Sequence, residues 1–233
     1  MSVRRLSRLS PPNGFLKIAS YGLGVFLTMA VAGATVMEGG ERLHAKSMAN
    51  VGHDSLACVD CHLPAKGTSR QQLQAKVAHW LGWRSNDATF GYEPVTNGQC
   101  MGCHERAEDA HPVHRFLEPR FVEARATLGA SECSSCHTEH TGRRVTAPPA
   151  MCSTCHGDIE LKQDPIDISH RMLAAGGQWS TCLGCHDYHG NHLRDPQKRL
   201  DDAISIGAIE RYFDGEPSPY GNERRFKAKG GPQ

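Results

Sequence analysis

Polar and apolar positions divide this chain into one long apolar run and a remainder with little sustained hydrophobic pattern. Residues 18–37 form an uncharged, mostly apolar run of twenty, close to the roughly 20 residues an α-helix needs to cross a hydrocarbon core. Arg4, Arg5, Arg8 and Lys17 precede it, and the first acidic residue, Glu38, follows it. The positive-inside rule therefore predicts a cytoplasmic segment over 1–17, a transmembrane anchor over 18–37 and an exported remainder. A cleaved signal peptide is the competing reading, because Ala32, Gly33 and Ala34 are small enough for a cleavage site. The run continues past that site and is longer than a usual signal core, so a retained anchor is the expectation. Beyond it, helical spacing is visible in three places only. The predicted helices are 70–83, 119–129 (opened by Pro119, carrying Phe121, Val122, Ala124 and Arg125, closed by Gly129) and 200–213 (Ala203, Ile206, Ile209 and Phe213 on one face). Nothing alternates as a strand would. The expected fold is mainly α with much irregular loop, its exported domain spanning 38–195 and a C-terminal helix and loose tail spanning 196–233.

Composition sharpens the problem of how such a chain becomes compact. Aromatic residues make up only 6% of 233, whereas there are ten cysteines and fourteen histidines. An exported protein could use paired cysteines as disulfides, and Cys-x-x-Cys pairs could hold zinc. The spacing points elsewhere. The cysteines fall as Cys58/Cys61, Cys100/Cys103, Cys133/Cys136, Cys152/Cys155 and Cys182/Cys185, and a histidine follows each pair at once: His62, His104, His137, His156 and His186. Zinc has no need of that order. Covalent haem c has, because two thioethers fix the porphyrin edge while the adjacent imidazole reaches the iron from the same short loop. Five of five motifs, with no cysteine left over, predict five covalently attached haem c groups.

Intervals of 37, 28, 14 and 25 residues separate successive motifs, which excludes a fixed-period repeat. About one haem per 40 residues leaves too few side chains to bury each macrocycle separately, so a stack of haems is expected to serve as the core. Nine histidines remain for the second axial positions. His140 and His189 lie three residues after their motif histidines, an offset that aims each at a neighbouring site. His170 and His53 sit shortly before motifs. His111/His114 and His189/His192 are pairs spaced by three, one member of each expected to ligate. The set carried forward is His53, His114, His140, His170 and His189, with His44, His79, His111 and His192 in reserve. The few methionines outside the anchor are poorly placed, so bis-imidazole, low-spin, low-potential irons are expected.

Past the anchor the polypeptide has 22 Lys+Arg against 25 Asp+Glu, and haem propionates would add negative charge. Such a surface disfavours nucleic acid and suits a redox partner with a basic docking patch. The repeated Cys-x-x-Cys-His motifs, the His-x-x-His at His111/His114 and the Cys-x-x-Cys-His-x-x-His at Cys133 to His140 and Cys182 to His189 resemble the low-potential, bis-histidine class III multihaem cytochromes c. An anchor followed by a haem domain is similar to the NapC/NirT/NrfH quinol dehydrogenases and the pentahaem subunit of alternative complex III. The resemblance covers most of 54–192. It implies a single-pass protein of a bacterial inner membrane whose periplasmic haem domain relays single electrons between quinol, or a membrane quinol-oxidising complex, and a periplasmic redox partner. The rival class is a multihaem reductase of a small oxyanion, which would need one open iron.

Overall fold

The computed structural model describes residues 14–36 and 49–229. Expectations for 1–13, 37–48 and 230–233, including any role for His44, lie outside the described residues. The chain divides into two units, Met1–Lys46 and Ser47–Gln233, each described by itself.

The first unit is helix α1, Gly14–Val36, about 35 Å long at 1.5 Å per residue. It starts four residues before the apolar run. Its window Lys17–Ala34 is long and apolar enough to cross a membrane, a test a signal sequence also meets. Ser20 and Thr28 donate their hydroxyls to the carbonyls of Lys17 (2.8 Å) and Gly24 (2.9 Å), so neither leaves a bare polar group on the helix surface.

The second unit is built of short helices and turns. Helix α2, Cys58–Cys61, is a single turn. Helix α3, Ser69–Trp80, opens with a capping box in which Gln71 N donates to the Thr68 hydroxyl and Thr68 N to the Gln71 side chain. It stops three residues short of the predicted end, because Gly82 turns left-handed at φ 74° and Trp83 N bonds back to Ala78 O. Helix α4, Asn97–His104, carries the second motif. The predicted 119–129 helix forms as a 3-10 turn, Pro119–Phe121, running into α5, Val122–Leu128, with Gly129 at φ 61° as its terminator. Helices α6 (Ser153–His156), α7 (His170–Ala175) and α8 (Cys182–Cys185) follow.

The predicted 200–213 helix is corrected. Leu200–Asp202 is a 3-10 turn, Ala203 is extended, and only α9, Ile206–Phe213, is α-helical, capped by Ser205 accepting from Ala208 N. The reason is tertiary: Ile204 N donates to Gly184 O at 3.0 Å, which holds the chain against the last motif and prevents continuous winding. Among the described residues there is no strand, only isolated bridges at Pro64 with Tyr92 and His192 with Arg224.

The apolar core is small. Ile209, Phe213 and Tyr220 form it, with Val145, Leu183, Ile204 and Tyr212 packed around, and the Tyr220 hydroxyl donates to Leu183 O at 2.8 Å. The segment expected to be a loose tail is tied down as far as it is described. Leu193 N donates to Glu223 O (3.0 Å), Arg225 N to Asn191 O (2.8 Å) and Lys229 N to Cys103 O (2.9 Å).

Candidate functional site

Each motif occupies about one helical turn, which is why its three chemical groups converge. In the first, third and fifth motifs the histidine N–H closes an i to i−4 bond on the first cysteine: His62 to Cys58 (2.8 Å), His137 to Cys133 (2.9 Å) and His186 to Cys182 (2.8 Å). Residues i, i+3 and i+4 share one helix face, so both thiols and the imidazole of a motif address the same side.

Every motif histidine is faced by one further histidine. Ring centres are 6.2 Å apart for His62 and His140, 6.0 Å for His104 and His53, 6.0 Å for His137 and His189, 6.2 Å for His156 and His111, and 6.2 Å for His186 and His170. That distance is too long for stacked rings in contact. It fits a metal held between two imidazoles, since two bonds of about 2.0 Å plus about 1.1 Å from each nitrogen to its ring centre give about 6 Å. Among the described residues no three His, Cys, Asp or Glu side chains converge as a bare metal ion would require. The residues present therefore fit haem c at all five motifs: two thiols for the vinyl edge and an imidazole on each face. The planes of the paired rings differ, from 22° for His137/His189 and 25° for His62/His140 to 83° for His156/His111.

Hydrogen bonds at Nδ1 orient these rings and leave Nε2 as the nitrogen available to a metal. His137 Nδ1 meets Arg144 O at 2.6 Å and His111 Nδ1 meets Tyr188 O at 2.6 Å. Carboxylates serve others: Asp164 with His170 (2.9 Å) and Asp109 with His189 (3.0 Å). Glu139 Oε1 lies 2.9 Å from His53 Nδ1, an ion-pair distance without the alignment of a hydrogen bond. Burial pushes His104, His111, His137 and His186 below the ordinary imidazole range, keeping them in the neutral form that a metal accepts. Burial alone would raise the Asp109 carboxyl, but the His189 N–H and the His111 amide hold it below the usual range.

Of the five second ligands expected from sequence, His53, His140, His170 and His189 each face a motif histidine. At the fourth motif the residue in that position is His111, whereas His114 is exposed on a 3-10 turn, Val113–Leu117. The Asp109 to His111 segment is locked against the fifth motif's trailing loop. Asp109 receives the His111 amide (2.8 Å) as well as His189 Nδ1, Ala110 N reaches His189 O (3.2 Å), and the His111 ring stacks on Tyr188 at 4.2 Å. His192 is buried with both nitrogens engaged, Nδ1 by Asp187 (2.8 Å) and Nε2 by Ser218 (3.0 Å). His79 Nδ1 meets Arg84 O at 3.1 Å.

Sequence reasoning missed Asn50. It is 2% exposed; its Nδ2 donates to Thr138 O (2.9 Å), and its Oδ1 accepts from Thr141 N and Gly142 N (3.0 Å each). These bonds shape the loop that presents Glu139 to His53 and His140 to His62. His140 pays for that shape with a left-handed backbone, φ 61°, the sole such non-glycine among the described residues. A lone Asn outside any motif carries no sequence signal for this role.

The motifs also touch one another. Cys100 and Cys133 are in side-chain contact, as are Cys152 and Cys182. Cys136 Sγ lies 3.9 Å from Met151 Sδ. Asn97 bridges the second and third motifs, donating to Ser131 O (2.5 Å) and accepting from Cys133 N (2.9 Å), and α2 packs on α4.

Residues 50–157 match the family model described as cytochrome c3. The match takes in the first four motifs with His53, His111 and His140; the fifth motif, His170 and His189 lie beyond it. No curated protein and no solved structure matches the chain. A mainly helical, cytochrome c3-like unit with repeated attachment motifs supports a multihaem c-type cytochrome, a class whose business is electron transfer.

Proposed function

We propose that this chain is a membrane-anchored five-haem cytochrome c, its haem-bearing unit outside the cytoplasmic membrane. It relays single electrons between the membrane, as quinol or a quinol-oxidising complex, and an extracytoplasmic redox partner. One observation carries the reading: five motif histidines, each faced by a second histidine at 6.0 to 6.2 Å. The residues that would hold the second face of each haem are His140, His53, His189, His111 and His170 for the motifs of His62, His104, His137, His156 and His186, so His111 takes the place given to His114 from sequence.

Bound haem supplies a one-electron ferric/ferrous couple at each motif. The chain's own part is to hold, orient and line up the sites. Contacts between consecutive motifs run in sequence order: α2 on α4, Cys100 with Cys133, Cys136 with Met151, and Cys152 with Cys182. The Tyr188 ring lies between partner histidines of the third and fourth sites, 4.2 Å from His111 and 4.9 Å from His189. Carboxylates on His170 and His189 make those imidazoles more electron-rich, which favours the ferric state.

Haem content and ligand binding test the reading together. Five haems per chain are expected, and the undamaged reduced protein should take up negligible carbon monoxide, because no axial position is vacant. Stoichiometric binding at one haem per chain would overturn the carrier assignment in favour of a reductase with an open iron.

A further inference from the structure

Helix α3 and the turn after it expose an apolar stripe that nothing in the second unit covers. Leu73, Val77 and Trp80 recur at helical spacing, with relative exposures of 56%, 44% and 82%, and Trp83 adds 79%. None of the cysteines or paired histidines lines the two open grooves along this face, so the stripe is separate from the haem sites. Its surroundings carry a net positive charge. Lys66, Arg70, Lys76 and Arg84 fall within 66–87 against a single carboxylate, Asp87, which pairs with Lys76 at 3.0 Å at the edge of one groove, on a polypeptide that is otherwise acidic beyond the anchor.

We propose that this face rests on the anionic headgroup surface of the membrane, Trp80 and Trp83 entering the interface while Arg70 meets lipid phosphate and Lys76 exchanges its exposed pair with Asp87 for another. Tryptophan prefers the level between headgroup and acyl chain, and cations flanking an apolar stripe add attraction to acidic lipid. A protein partner would have to match the same positive rim with carboxylates. The membrane is the nearer occupant, since only residues 37–49 separate α1 from Asn50, a tether of at most about 45 Å. The contact would also orient the first motif relative to the membrane. Gln72, buried on a neighbouring face of α3, donates to Ala65 O (2.9 Å) and Gly67 O (3.0 Å) and accepts from Gly91 N (3.0 Å), fastening the helix to the loop that leaves His62. The inference rests on the anchored reading of α1.

All ten native cysteines belong to motifs, so one added cysteine in the full-length holoprotein is a unique thiol. Val77→Cys and Leu73→Cys, with Asp201→Cys as a control position, are reconstituted in phosphatidylglycerol-containing nanodiscs and treated with a charged maleimide, haem spectra confirming intact protein. Labelling at 77 and 73 is expected to be about tenfold slower than at 201, with the gap narrowing in all-phosphatidylcholine discs or with Arg70→Glu/Lys76→Glu. Equal rates at the three positions in disc-bound protein would overturn the proposal, as would protection that ignores lipid charge. Failure of the anchored reading looks different, because the chain would then leave the discs altogether.

Discussion

At the scale of the residue, a spacing of three left His111 and His114 equivalent in sequence, and tertiary contacts separate them. Asp109 and the Tyr188 carbonyl seize the His111 amide and Nδ1, while His114 faces solvent. His111→Met should therefore raise the potential of one haem by at least about 59 mV, a tenfold change in its one-electron constant, whereas His114→Met should leave the titration curve unchanged. Electron paramagnetic resonance offers a separate check on the same residue. The His111 and His156 planes cross at 83°, an arrangement that would leave the dπ orbitals of a ferric iron held between them nearly degenerate and so give a highly anisotropic low-spin signal. That signal should vanish in His111→Met, while the near-parallel pairs keep ordinary rhombic spectra. The motif histidines stand out in the sequence because each directly follows a Cys-x-x-Cys pair. Their facing partners were legible only as far as chain offset limits reach, and Asn50 was not legible at all.

Elements that carry attachment motifs are one or two turns long, too short to persist as isolated helices. Their shape comes from neighbours, which is why 119–129 was predictable from Pro119 and Gly129 while the start of the last helix was not. Ala203 shares a helical face with Ile206, Ile209 and Phe213 in sequence, yet it is extended, next to the bond from Ile204 N to Gly184 O. Gly184 also accounts for a sharp difference between two motifs with glycine in the same place. A Cβ on Gly184 would lie 2.6 Å from Ile204 O, whereas one on Gly102 would meet nothing within 4 Å. Gly184→Ala should destabilise the protein by about 1–3 kcal/mol through this overlap, and Gly102→Ala should be close to neutral. Thermal unfolding of the two holoproteins measures the difference.

For the whole molecule, the thin apolar composition anticipated what the fold displays, a core of a few residues around Ile209. Such a core cannot offset the entropy of ordering about 180 residues. Without haem attachment the second unit should be protease-sensitive and lack a cooperative melting transition, as followed by limited proteolysis and near-ultraviolet circular dichroism. A compact apo-chain with a sharp melt would show that side-chain packing suffices. The C-terminal segment was the least legible part, because its order comes from backbone bonds to Asn191, Leu193 and Cys103 rather than from any pattern of its own.

The histidine pairs also have a direction along the chain. His53, His111 and His170 precede the motif histidines they face, whereas His140 and His189 follow theirs. A chain emerging from its N-terminus thus has both imidazoles of the second, fourth and fifth sites in hand as soon as each motif appears. The first site would stay half-built until residue 140 emerges and the third until residue 189, so attachment in chain order would leave the first site incomplete until the third motif has arrived.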